Sequence, residues 1–282
     1  MTHAQYSSFG NDAWSILSDI ELSIKKKVES VGVLLKDWDV EIYRGILTGY
    51  NDAFIISTEK RNEILENCAN DDERERTSAI IRPILRGRDI ARYKYNWADL
   101  WLINTHNGIK EKLERIHIED YPAIQQHLDT HWNKIKSRSD KGDTPYNLRN
   151  CAYMDEFSKP KIVWGNLNTM GSYALVPDNM FINAPSCMIV PGNNYLLAAL
   201  NSKVVDFYIR TLGVVRNGGF FEYKPMFVEK IPVPKITAEQ EQLFDDIISS
   251  SQTDDERDLR IDEMMNKLYD LSKEEINFLQ NQ

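Results

Sequence analysis

Strand-length apolar runs and helical patterns follow one another in no repeating order between residues 40 and 235, and this irregularity limits the fold more than any other feature. A doubly wound sheet needs strands alternating with helices, and a solenoid needs a fixed period. Neither pattern is present. The expected class is therefore α+β: a mixed, mostly antiparallel β body with inserted helices. Val40–Leu47 and Ala53–Ile56 read as strands, joined as a hairpin through the turn Thr48-Gly49-Tyr50-Asn51-Asp52. Leu100–Ile103, Lys161–Leu167, Tyr173–Val176 and Cys187–Val190 read as further strands. Ile80–Leu85 is an apolar run broken by Arg82-Pro83.

Helical spacing appears at Asn11–Ser30, where Ile16, Ile20, Ile24 and Val28 recur every fourth residue. Thr58 to about Cys68 and Asp71–Ser78 carry cap signals, Tyr195–Leu212 is strongly periodic, and 110–136 is mostly helical in character apart from Tyr121-Pro122. Ser137–Asn150 is polar and turn-rich, as an exposed loop would be. Ile231-Pro232-Val233-Pro234 reads as an extended linker, because neither proline suits a helix. Beyond it Thr237, Thr253 or Asp254, and Ser272 are placed to cap three helices, and Ser272 with Glu275 has capping-box spacing. The expected division is a body over 1–235 and a helical hairpin or small bundle over 236–282.

Charge follows the same division. The tail 236–282 holds 13 acidic and 4 basic residues, so it accounts for the whole net charge of −9. The body is neutral overall, with a basic excess of 4 between Arg82 and Lys161. Strong non-specific DNA binding driven by charge alone is not expected, and binding would need a positive face assembled by folding. No stretch approaches the ~20 apolar residues of a membrane helix. Met1–Phe9 lacks a basic-then-apolar signal pattern, so a cytoplasmic protein with no membrane partner is expected. Cys68, Cys151 and Cys187 are too far apart for a disulfide framework or a paired-cysteine metal site, and read as free thiols.

Catalytic patterns are mostly missing. There is no glycine-rich phosphate loop, no nucleophile elbow and no zinc-protease helix. His127 and His131 would share a helix face, but no third ligand is near in sequence. Asp143-Thr144-Pro145-Tyr146 is one substitution from the Asn/Asp-Pro-Pro-Tyr loop with which amino-methyltransferases hold a flipped base. Pro177-Asp178 with Glu222-Tyr223-Lys224 has the composition of a metal-dependent nuclease site, but a long helix separates the halves. No catalytic or metal-ligating residue is assigned.

The segments that fail as catalytic motifs match something else, in order and over nearly the whole chain. Gly45–Ile56, Ile81–Tyr93 (IRPILRGRDIARY), Lys159–Trp164 (KPKIVW), the helix Tyr195–Gly213 with Phe221–Pro225 (FEYKP) and Ile231–Pro234, and the tail 261–276 resemble the TaqI-like C-terminal specificity domain. That domain occurs in adenine-specific DNA methyltransferases and type IIG restriction–modification enzymes. The resemblance implies a module that reads double-stranded DNA. Its partner would be an N-terminal methyltransferase domain or subunit, which would hold S-adenosylmethionine; no cofactor is expected in this chain. The alternative is a fragment that retains methyltransferase or endonuclease activity.

Base readout requires arginine, lysine or amide side chains at groove edges, with further cations on phosphates. Three groups supply them. The first is Arg82, Arg86, Arg88 and Arg92, which serve either DNA or internal pairs with Asp89 and Asp99. The second is Lys134, Lys136, Arg138, Lys141 and Arg149, interleaved with Trp132 and Tyr146 in the polar loop region. The third is Arg216 and Asn217 on a Gly218-Gly219 turn, with Lys224 nearby. Tyr50 and Asn51 at the expected hairpin tip complete the candidates. The acidic tail is a further candidate, as a surface for docking another protein domain.

Overall fold

The structure, a computed structural model, describes residues 17–213, 216–250 and 253–282. The expected helix over Asn11–Ser30 is seen from α1 (Asp19–Val31) onward, and residues 11–16 lie outside the described ones. Glu21 returns a carboxylate to the Ser18 backbone amide at 2.7 Å, which closes the helix start. After α1 come β1 (Val33–Leu34) and β2 (Glu41–Arg44), then the single turn α2 (Asn51–Phe54), β3 (Ile55–Ser57), α3 (Thr58–Glu66) and α4 (Asp71–Ile80). Ser57, not Thr58, caps α3. Next are β4 (Ile81–Leu85), β5 (Ile90–Ala91), β6 (Lys94–Tyr95) and β7 (Leu100–Ile103). Residues 104–121 are largely irregular rather than helical, and helix begins only at α5 (Pro122–Asp129) and α6 (Trp132–Ile135).

The second half contains β8 (Lys161–Trp164), β9 (Leu167–Asn168), β10 (Tyr173–Val176), β11 (Phe181–Ile182) and β12 (Cys187–Val190). The predicted helix Tyr195–Leu212 is two helices, α7 (Asn194–Asn201) and α8 (Lys203–Arg210). Ser202 takes extended backbone angles between them and caps the second through its hydroxyl. Then come β13 (Phe221–Glu222), the turn α9 (Pro225–Val228), β14 (Pro232–Val233), α10 (Ala238–Ser249), α11 (Asp254–Leu268) and α12 (Lys273–Gln280). Thr237, Thr253 and Ser272 cap the last three in capping boxes. No helix among the described residues is long and apolar enough to cross a membrane.

The α+β expectation holds. Strand pairs are antiparallel except β11 with β4. The central sheet has the order β10-β8-β12-β2 and is covered on both faces. Ile162, Trp164, Tyr173, Cys187 and Ile189 point into a core shared with α1, α7, α8 and the tail helices. Val163, Ala174, Val176, Met188 and Val190 point into a second core, against the sheet β11-β4-β7-β3. Strict alternation sends neighbouring residues to opposite faces. Because both faces are buried, these strands read as continuous apolar runs.

Two sequence expectations are corrected. β2 and β3 do not form a hairpin: β2 pairs with β12 in the central sheet, and β3 pairs with β7 in the other. Gly45 and Ile46 carry the chain across, with Ile46 bridging to Asn183. A Cβ at Gly45 would lie 2.5 Å from the Ile182 carbonyl oxygen, so only glycine permits this crossing. The Pro232–Val233 stretch is not a solvated linker. It is a buried strand on Val33–Leu34, with Ile231 and Val233 fully in the core. Tail residues Phe244, Ile247, Ile261, Met265, Tyr269 and Leu279 join that same core, and the Tyr269 hydroxyl donates to the Pro232 carbonyl at 2.6 Å.

Candidate nucleic-acid interface

One end of the central sheet gathers several candidate residues. In register across the sheet lie Tyr173, Trp164, Cys187 and Arg44. Just beyond that row run Gly165, Ser186 and Gly45, whose N–H donates to the Ser186 carbonyl at 2.8 Å. The turn after β4 lies across them. A Cβ at Gly87 would sit 3.0 Å from Ser186 Oγ and 3.6 Å from the Gly165 Cα. The segment after Gly165 forms β9, which pairs with β13 and so brings Arg216–Lys224 to the same end. Gly218 and Gly219 both have positive φ, 79° and 77°, and form the exposed turn that carries Asn217. Leu167, Met170 and Phe220 are exposed apolar side chains on these loops.

The cations here differ in how they are held. Arg86 is bound to Asp89 through Nε (3.0 Å) and an Nη (2.7 Å). Burial opposes ionisation of Asp89, but hydrogen bonds from the Arg86 side chain and backbone hold its carboxyl below the usual range. Arg216 bonds Glu222 at 2.6 and 2.8 Å, and Lys224 bonds the other oxygen of Glu222 at 2.7 Å. Hydrogen bonds from Lys224 and then Arg216 hold the Glu222 carboxyl below its usual range. Arg88 is exposed and makes no ion pair within 4 Å among the described residues, although its charge helps to lower the Asp89 carboxyl. Arg82 is half-buried on β4, without an ion pair among the described residues.

The second group converges elsewhere. Tyr50 packs edge-on against His131, which neighbours His127 on the α5–α6 turn. Asn51 is exposed and accepts from the Thr48 hydroxyl at 2.6 Å. Lys134 is exposed; Lys136 bonds the Asn133 amide oxygen, Lys141 bonds the Lys136 carbonyl, and Arg149 pairs with Asp140 at 2.9 Å. Trp132 and Tyr146 pack on each other, with ring centroids 5.5 Å apart. This group adjoins the first through residues 45–49, since a Cβ at Gly49 would touch both Arg138 and Asp140.

Two candidates are corrected. Arg138 is 7% exposed and faces inward. It donates to the backbone carbonyls of Ile135, Pro145, Asn147 and Asp140, and its guanidinium lies 4.4 Å from the Phe54 ring centroid. Burial pulls its pKa down to about 10. It organises the 137–150 loop from within and is not presented to a ligand. Arg92 grips Asp258 of α11 through two nitrogens at 3.0 and 2.8 Å, and so joins the β5–β6 turn to the tail.

The near-miss catalytic motifs are occupied by structural bonds. The Tyr146 hydroxyl donates to Asp129, Thr144 bonds Asn147, and Asp143 pairs with Arg115 and Asn107. His127 donates to the Ala53 carbonyl. Among the described residues no three His, Cys, Asp or Glu side chains are grouped to hold a metal. Lys161, fully buried, bonds the carbonyls of Pro177 and Met180 at 3.2 Å, and burial lowers it to about 8.

Arg44 was missing from the sequence candidates. It is exposed, ends edge strand β2, and has no ion pair among the described residues. Its one sequence signal was a basic residue directly before Gly45, where the strand leaves the sheet.

A family model for the TaqI-like C-terminal specificity domain matches residues 82–233. The type II methyltransferase M.BstVI of Geobacillus stearothermophilus is 24% identical over 285 residues, a match covering 96% of this chain and 47% of that protein. The chain thus spans about half the length of that curated relative. Two solved structures share the fold. The type IIL restriction–modification enzyme MmeI, solved in complex with DNA, matches 87% of this chain and 35% of its own, with TM-score 0.63 and 11% identity. The type IIG restriction endonuclease BpuSI matches 89% and 33%, with TM-score 0.52 and 12% identity.

Proposed function

Because the chain belongs to the TaqI-like C-terminal specificity domain family, we propose that it reads double-stranded DNA sequence for an adenine-specific restriction–modification methyltransferase. The observation that carries this reading is the gathering of arginines, a lysine and an amide on loops at one end of a rigid sheet. Rigid support of exposed loops is what positions side chains against base edges. Arg86 is held by both oxygens of Asp89 and Arg216 by one oxygen of Glu222, so each guanidinium meets a base with its orientation already constrained. Arginine presented in that way suits the two acceptors of guanine. The small net positive charge of the region supports selective rather than charge-driven contact.

Methyl transfer is assigned to an N-terminal methyltransferase domain or subunit, the partner that would bind S-adenosylmethionine. The Asp143–Tyr146 segment does not fit the base-holding loop it resembles, because its hydroxyls and carboxylate are spent on Asp129, Asn147, Asn107 and Arg115.

The test is selection of the full chain against a pool of random duplexes at low salt, followed by sequencing of the bound fraction. A short enriched motif is expected, and uniform recovery overturns the reading. Titration with S-adenosylmethionine should give no saturable heat. A saturable signal would move the chemistry into this chain.

A further inference from the structure

We infer that Arg44 and Arg88 together form the phosphate-contacting site of this chain, gripping the DNA backbone from either side of Ser186. The inference rests on the DNA-reading function and assigns a division of labour within it.

Two observations carry it. The first is charge availability. Arg86, Arg92, Arg149, Arg216 and Lys224 are each neutralised by a carboxylate, and Arg138 is buried among carbonyls. Arg44 and Arg88 are exposed and without ion pairs among the described residues. A cation already paired loses little counter-ion on meeting a phosphate, whereas an unpaired one supplies the full electrostatic gain.

The second is placement. Arg44 ends β2, and the next residue, Gly45, donates to the Ser186 carbonyl. Arg88 follows Gly87, whose missing side chain lets the turn approach Ser186 Oγ and Gly165. The two arginines therefore leave the fold from backbones that meet at one serine, though they are far apart in sequence. Arg44 also acts on its surroundings at this end of the sheet, where its charge lowers the Cys187 thiol against the dominant upward effect of burial.

The carboxylate-held Arg216, on the adjoining glycine turn, is the contrasting base reader. A phosphate contact weakens binding to every sequence alike when removed, while a base contact changes preference.

The experiment measures binding of the full chain to its selected duplex and to a scrambled duplex over a salt series. Arg44→Gln, Arg88→Gln, the double variant, Arg216→Lys and the control Lys26→Gln on α1 are compared, with thermal melts to check folding. Arg44→Gln and Arg88→Gln are each expected to weaken both duplexes by about tenfold at low salt and to lower the salt slope by about one. Arg216→Lys should alter the ratio between duplexes and leave the slope nearly unchanged. The inference is overturned if the two glutamine variants match Lys26→Gln, or if they change the ratio rather than both affinities. If the wild-type chain binds no duplex, the DNA-reading function falls, and this inference with it.

Discussion

Replacing Glu275 by glutamine should uncouple α1 from the tail by a predictable amount. The Glu275 carboxylate is 4% exposed and sits between α12 and α1. It accepts from Ser23 at 2.7 Å, from Lys27 at 2.8 Å and from the Ser272 N–H at 2.6 Å. Burial raises its pKa, but these hydrogen bonds and the Lys27 charge outweigh burial and bring it down to about 2. Set against the ordinary 4.5, that difference corresponds to about 3.4 kcal/mol of stability. The Lys27 side chain is 33% exposed, and solvent screening trims the figure to about 2 kcal/mol. A depressed carboxylate stabilises above its unfolded pKa and loses that contribution as pH falls through its folded one. The gap between wild type and Glu275→Gln should thus be complete at neutral pH, and less than half of it should remain near pH 3. Urea unfolding of both proteins across that range measures it. Titration of other carboxylates affects both proteins and cancels in the difference. A gap that stays constant from neutral pH to pH 3 would refute the electrostatic account and leave only packing.

Two further outcomes follow from the site. Gly45→Ala places a methyl group 2.5 Å from the Ile182 carbonyl oxygen, so thermal melting should show a loss of at least ~3 kcal/mol. Near wild-type stability would mean that the crossing tolerates a side chain. Arg138→Met should destabilise by roughly 3 kcal/mol, because four carbonyls lose their donor, and protease cleavage should rise within 137–150. A reduced salt slope of DNA binding with unchanged stability would instead return Arg138 to the ligand-facing set.

What could be read from the sequence was what local physics decides. The caps at Thr237, Thr253 and Ser272 depend on residues three positions apart, and all three appear as expected. The runs 100–103, 173–176 and 187–190 are strands as read, since apolar runs of that length leave few other choices. The misreadings each turn on a distant partner. Glycine and a turn at 48–52 suggested a hairpin, but Gly45 is needed for its approach to Ile182–Ala184. Pro232–Val233 looks like a linker until Val33–Leu34, some two hundred residues earlier, supplies its pairing. Arg138 sits in a polar segment that gave no sign of burial, because the groups that hold it are backbone carbonyls and leave no mark in side-chain composition. Arg44 was read as part of a strand, and its freedom from acidic partners shows only once its neighbours are folded around it.

The central sheet is buried on both faces, and residues 166–170 and 216–220 emerge at one of its ends with largely exposed side chains. Residues 166–170 and 216–220 add little to either apolar cluster, so their side chains are free to vary independently of foldedness. A lineage of such chains can therefore drift from one target word to another by exchanging letters on these loops, while the glycine crossings and the strands behind them stay constant. The grammar is kept in the scaffold and the vocabulary at its rim.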